Sequence, residues 1–272
     1  MLANTSFTYL LILLISFITL SCNKLEYSPN QSFSKNSASA INAKNIAKLA
    51  KQQSADDTLR FILTGDTQRS YDQATALVNL INSKFTKLDF VILSGDISDF
   101  GLLQEMVWVT DIYAGLKVPY LAVIGNHDLI ANGRNVYLKM FGDLNFTFTH
   151  KGVKFICHDD NSREYQFNGN VPDLKWIAQE LQTGNEVEAI VGVAHIPPRG
   201  GDFDPSMEDA YINLFNTPKV VACLFAHENN SDLYYPIAGG VPFIVTDAVT
   251  NRECLYVEIA NGKLIKNENI SY

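Results

Sequence analysis

Five apolar runs in this sequence stop at residues that bind metal ions or move protons. Leu59–Thr64 leads into Gly65-Asp66-Thr67-Gln68, and Phe90–Ser94 into Gly95-Asp96-Ile97-Ser98-Asp99. Tyr120–Ile124 leads into Gly125-Asn126-His127-Asp128, Ala189–Ala194 into His195, and Val220–Phe225 into Ala226-His227-Glu228-Asn229. Carboxylates, amide oxygens and imidazoles together make a ligand set suited to Mn, Fe or Zn. Taken singly, each ending has a plainer reading. Gly-Asp after a strand is an ordinary turn, Asp99 can cap a following helix, and a lone histidine at a strand end is usually structural. Five such endings in one chain change that balance. In an open α/β sheet the ligand crevice lies beyond the carboxyl ends of the strands, so the clusters can converge. The glycines before Asp66, Asp96 and Asn126 let the backbone turn sharply there.

The positioning elements follow from periodicity. Apolar runs of strand length at 59–63, 90–93, 120–124, 153–157, 189–194 and 220–225 alternate with helical patterns, the signature of an α/β sheet. Their near-continuous hydrophobicity predicts strands covered on both faces. Helices are predicted over 72–84 and 102–115, and a third, opened by a Ser206/Asp209 capping box, runs through Phe215. The tail reads as strands at 241–247, 253–260 and 262–268, with Asn261-Gly262 as a hairpin turn. His150 reads as a strand-end surface residue, and His158-Asp159-Asp160 as a turn outside the five clusters. Cys157, Cys223 and Cys254 sit in apolar runs without metal-type spacing, and read as buried thiols, with one disulfide possible.

The N-terminal part has a different character. Residues 7–20 form an apolar run too short for a comfortable membrane span and suited to a signal-peptide core. The run ends in Leu20-Ser21-Cys22. A small residue before that cysteine resembles the cleavage box of bacterial lipoproteins, which implies a lipidated Cys22, export, and a place in the bacterial cell envelope. Residues 1–22 are therefore expected to be a signal peptide, and 23–55, rich in Ser, Asn, Lys and Ala, a flexible basic tether. A short basic helix over 41–51 lying on anionic headgroups is the alternative for part of that tether. Lys24, Lys35, Lys44, Lys48 and Lys51 against Glu26 give residues 23–55 a net charge of +4. With −8 for the whole chain, residues 56–272 carry −12. So acidic a domain repels a polyanion, and no nucleic-acid partner is expected. A small phosphorylated substrate stays open, because bound cations reverse the field locally.

The ordered set Asp-x-Gln, Gly-Asp-x-x-Asp, Gly-Asn-His-Asp, His and Ala-His-x-Asn resembles the calcineurin-like metallophosphoesterases, whose motifs are Asp-x-His, Gly-Asp-x-x-Asp, Gly-Asn-His-Asp/Glu, His and Gly-His-x-His. The likeness spans residues 58 to about 265 and includes the segment around Trp176. It implies a four-layer α/β/β/α sandwich of two mixed sheets over residues 56–272, with the site at one edge. It also implies metal-dependent hydrolysis of a phosphoester, whether monoester, diester or pyrophosphate, by metal-activated hydroxide at a one- or two-metal site. One metal would take Asp96, Asn126, His195 and His227. The other would take Asp66, Gln68, the bridging Asp96 and Asn229. His127 would serve the leaving oxygen, oriented by Asp99. Apart from the resemblance, Arg199, four residues past His195 in a Gly-rich loop, is a candidate clamp for a phosphate oxygen, with a solvated loop arginine as the plainer reading. Gln68 and Asn229 stand where the family has histidines, so one metal faces two carboxylates and two amides. A hard site of that kind favours Mn²⁺ or Mg²⁺ over Zn²⁺, with Fe also accommodated. Gln at position 68 is similar to the manganese-dependent ADP-ribose pyrophosphatase branch. The same two substitutions support an alternative of another class: a catalytically impaired domain that binds a ligand or partner.

Overall fold

The computed structural model describes residues 31–35, 37–52 and 56–272. The expected signal peptide and Cys22 lie outside the described residues. Among those described, no helix is long and apolar enough to cross a membrane.

Two mixed sheets stack face to face. The first joins strands β1 (Leu59–Thr64), β2 (Phe90–Ser94), β3 (Tyr120–Val123), β10 (Glu253–Ala260) and β11 (Lys263–Ser271) in the order β11-β10-β1-β2-β3. The second joins β4 (Phe146–His150), β5 (Val153–Cys157), β6 (Ala189–Val193), β7 (Val220–Phe225), β8 (Asp232–Tyr234) and β9 (Phe243–Val245) in the order β4-β5-β6-β7-β9-β8. Side-chain alternation explains why the predicted strands read as unbroken apolar runs. On β1, Phe61 and Leu63 enter the core between the sheets while Ile62 faces the helices. On β2, Phe90 and Ile92 point inward, and Val91 and Leu93 outward. On β6, Val191 joins the inner core and Ile190 the outer one. Phe61, Phe90, Phe148 and Phe155 form one aromatic cluster at the centre.

Helices α2 (Tyr71–Lys84), α3 (Leu103–Tyr113) and α4 (Gly133–Met140) cover the first sheet, while α5 (Leu174–Glu180) and α6 (Glu208–Phe215) cover the second. The expected four-layer arrangement is thus present. Asn261 and Gly262, with φ of 51° and 66°, make the turn between β10 and β11 as predicted. The three downstream cysteines are buried and free.

Several expectations change. Residues 41–49 form helix α1, the chain's first described helix, and it is part of the folded body rather than a flexible tether. Asn42 donates from Nδ2 to Ala122 O and accepts from Ala122 N, both at 2.9 Å, and Asn45 donates to Tyr120 O at 2.6 Å. The two amides take the place of a neighbouring strand and cover the exposed edge of β3. Ser206 does not cap α6; its hydroxyl donates to Asp204 Oδ1 at 2.7 Å. At the start of α3 it is Glu105, not Asp99, that accepts the free N–H groups, from Phe100 at 2.9 Å and Leu102 at 3.3 Å. His150 is buried, with Nε2 3.4 Å from Asp89 Oδ1, because β4 packs its end against the β1–β2 connection.

Candidate metal centre

The strand ends meet at one edge of the sandwich, where the carboxyl ends of β1, β2 and β3 face those of β6 and β7. Backbone bonds weld the loops together: Asp66 N donates to Gly95 O at 3.2 Å, Gln68 N to Asp96 O at 3.1 Å, and Ala226 N to His195 O at 2.9 Å. Two glycines make the approach possible. A Cβ on Gly95 (φ 87°) would lie 2.5 Å from His195 Nδ1, and one on Gly125 would lie 2.1 Å from Asp96 N. Asp66, Asp96, His227 and Asn229 all have φ between 52° and 74°, the left-handed region that non-glycine residues seldom occupy. Such strain persists where surrounding contacts over-determine the backbone, and it clusters at functional sites.

At the centre is the fully buried His195. Its Nδ1 donates to Ser94 O at 2.7 Å, which leaves Nε2 aimed into the site. Around Nε2 stand Asn126 Oδ1 at 3.1 Å, His227 Nδ1 at 3.3 Å and Asp96 Oδ1 at 3.4 Å. The candidate ligand atoms of Asp96, His195 and His227 lie within 4.8 Å of one another. Those three residues and Asn126 are the four that the family resemblance grouped, and the structure brings them together. Asp66 borders them, with Oδ2 accepting His227 N at 3.1 Å.

Burial and neighbouring charges perturb the titratable groups of the cluster. Burial pushes Asp66 up to about 7, even though the charge of His195 opposes the shift. Burial works against a charge on His195, but Asp96 and Asp66 outweigh it and raise that imidazole to about 10. For Asp96, burial disfavours the anion, yet His195 and His127 hold it below the usual carboxylate range. His227 is held down to about 4, by burial and by the charge of His195. Gln68 fits the same picture: its Oε1 is buried and has no hydrogen-bond partner, an acceptor that a bound cation would satisfy. The donor set therefore fits a divalent ion.

Asn229 does not join the cluster. It is exposed, and its amide folds back so that Nδ2 donates to His227 O at 3.1 Å. Arg199 lies apart too, with its guanidinium on Pro236 O at 3.3 Å, lining a recess with Glu228, Asp232 and Tyr234. His127 is in place: Nδ1 lies 2.9 Å from Asp99 O and 3.7 Å from Asp99 Oδ1, and its backbone N donates to Asp96 Oδ1 at 2.9 Å. Asp99 thus orients the ring mainly through its carbonyl, while its carboxylate is paired with Arg69 at 2.5 Å.

Four residues outside the expected set build the site. Asp128 accepts from Gly125 N at 3.0 Å, Ile97 N at 3.2 Å, and Ser98 N and Oγ at 2.8 Å, clamping the β2 loop to the β3 loop. Asp160 accepts His195 N at 3.2 Å and Ile196 N at 3.1 Å, and burial pushes it up to about 8. Asp202 lies against His227, and Arg69 against Asp99. Asp128 belongs to a motif already singled out. Asp160 follows β5 as the other clusters follow their strands, so His158-Asp159-Asp160 is a sixth such ending and not an isolated turn.

The description calcineurin-like phosphoesterase belongs to the family model that matches residues 59–230, well over half of the chain. Comparison with curated proteins gives no match. Among solved structures, a dimetal phosphatase from Danio rerio shares 14% identity and a TM-score of 0.60, over 79% of this chain and 99% of that one. A purple acid phosphatase from yellow lupin (Lupinus luteus) seeds shares 12% identity and a TM-score of 0.59, over 80% of this chain and 54% of its own. GAP50, the anchor in the inner membrane complex of Plasmodium, shares 14% identity and a TM-score of 0.57, over 79% and 89%. At these identities the likeness is one of fold. The chain spans about half the length of the lupin phosphatase, 54%.

Proposed function

This chain belongs to the calcineurin-like phosphoesterases, divalent-metal-dependent hydrolases, and from that premise we propose that it hydrolyses a small phosphorylated substrate with Mn²⁺ as its preferred ion. The observation that carries the reading is the convergence of Asp96 Oδ1, Asn126 Oδ1 and His227 Nδ1 on the inward-facing Nε2 of His195. These four residues would hold one ion, and Asp66, Gln68 and Asp96 would hold a second, more weakly. When bound, the cations polarise the phosphoryl oxygens and acidify the attacking water.

The remaining work falls to side chains. Asp96 accepts the His127 backbone N–H, so the carboxylate that would serve both subsites also fixes where the His127 loop begins. His127, partly exposed and held at Nδ1 by Asp99, has Nε2 free to pass a proton to the leaving oxygen. Asp128 keeps the His127 loop against the Asp96 loop during that transfer. We further propose that Cys22 carries a lipid, that the protein is exported and held on a membrane of the bacterial cell envelope, and that the chain divides into a signal peptide, a tether shorter than residues 23–55, and the catalytic domain.

A second reading is an impaired domain with a binding role. It is supported by the outward turn of Asn229 and by the anchoring role that GAP50's description gives that protein. Hydrolysis of bis-p-nitrophenyl phosphate by the metal-stripped chain, supplied in turn with Mn²⁺, Mg²⁺, Fe²⁺ and Zn²⁺, separates the two. Turnover restored by Mn²⁺ supports the enzyme; silence with all four ions, in a chain that still binds them, supports the second reading.

A further inference from the structure

The two imidazoles of the cluster are secured in different ways. His195 is tied to a backbone carbonyl of β2, fully buried. His227 presents Nδ1 to the cluster, and its far nitrogen Nε2 lies 3.2 Å from Asp202 Oδ2. The other oxygen of Asp202 takes Arg163 NH1 at 2.8 Å. Asp202 follows Gly200-Gly201 in the connection between β6 and α6, and Arg163 sits on the short turn Ser162–Tyr165 after β5. Neither belongs to the motifs that mark the family. Asp202 lies on the far side of the ring from the cluster, so it is not itself a ligand there.

A neutral imidazole carries its proton on one nitrogen or the other, and only the deprotonated nitrogen binds a metal. We propose that Asp202 is a positioning residue: its carboxylate keeps the proton of His227 on Nε2 and turns the Nδ1 lone pair into the cluster. Arg163 holds the carboxylate in place. A metal-binding histidine commonly donates its other N–H to such a partner, and loss of that partner weakens metal binding on the order of 10–100-fold. The peptide carbonyl of Ser94 does this for His195 from inside the core. For His227 the same service comes from an ion pair at the rim, so metal affinity at this one ligand depends on two surface loops meeting.

The inference rests on the phosphoesterase reading for the identity of the ligand, but its first test needs no metal. Long-range ¹H–¹⁵N spectra of the stripped full chain in detergent should show the His227 proton on Nε2, and a mixture of tautomers in Asp202→Ala. Calorimetric titration with Co²⁺ should then give an affinity weakened about 10–100-fold in Asp202→Ala, less in Arg163→Ala, and restored in large part by Asp202→Glu. An unchanged tautomer together with unchanged Co²⁺ affinity in Asp202→Ala overturns the proposal. A wild-type chain that binds no Co²⁺ overturns the phosphoesterase reading, and the tautomer comparison still decides this one.

Discussion

The two halves of the site are built from the same kind of strand-end loop, yet they differ in how their ligands are held. Asp96, Asn126, His195 and His227 crowd around one point, fixed by buried backbone and by the approach that Gly95 and Gly125 permit. Asp66 and Gln68 sit beside them, with the Gln68 oxygen buried and unpaired. Asn229, on an exposed bend, uses its amide on its own neighbourhood. Residues planted at the ends of fully buried strands are placed by the core. A residue on an exposed loop is placed by whatever local bond it can make. We therefore expect one tight and one loose metal subsite.

The change expected to break the arrangement most is Asp96→Asn, which removes the charge both subsites share; bis-p-nitrophenyl phosphate turnover should fall by about 10³-fold or more. His127→Ala should lower kcat by ~10²-fold or more while metal content stays the same, measured by assay and elemental analysis side by side. Parallel loss of metal would remove its assigned role. The comparison sharpens with three single variants read by calorimetry. His195→Ala should abolish tight binding. Gln68→Ala should weaken only the looser ion, by roughly 10-fold, and Asn229→Ala should change affinity by no more than ~3-fold.

The smallest effect concerns stability. His158 is buried, its Nε2 3.0 Å from Tyr211 OH, and burial lowers it to about 4. The folded state therefore resists a proton that the unfolded chain takes up near 6.5. Stability should be fully present above that value and fall by up to about 3 kcal/mol as the pH drops toward 4. Urea unfolding at several pH values should show that slope reduced in His158→Gln.

Much of this was legible in the sequence because buried strands announce themselves and their last residues carry the chemistry. Most strand limits and the Asn261-Gly262 turn followed from such signals, while the layer order and the grouping of Asp96, Asn126, His195 and His227 came from the family resemblance that the strand-end motifs carry. What escaped depends on contacts between distant segments. Helix α1 looked like tether because its face is polar, and only the β3 edge explains why Asn42 and Asn45 are buried. Asp128, Asp160 and Asp202 act on backbone or imidazole groups supplied by other loops, and no spacing rule reports that. Arg199 looked like a clamp from its glycine-rich loop, but the loop's path carries it to Pro236.

Unequal halves predict unequal affinities, and Mn²⁺ titration of the stripped chain by calorimetry, followed in parallel by phosphodiester turnover, tests this most directly. One tight ion that is lost in His195→Ala and in Asp96→Asn, a second weaker ion that is lost in Gln68→Ala, and turnover that requires at least the first, is the predicted result. Two ions of equal affinity, or turnover that survives in full in Asp96→Asn, would contradict it.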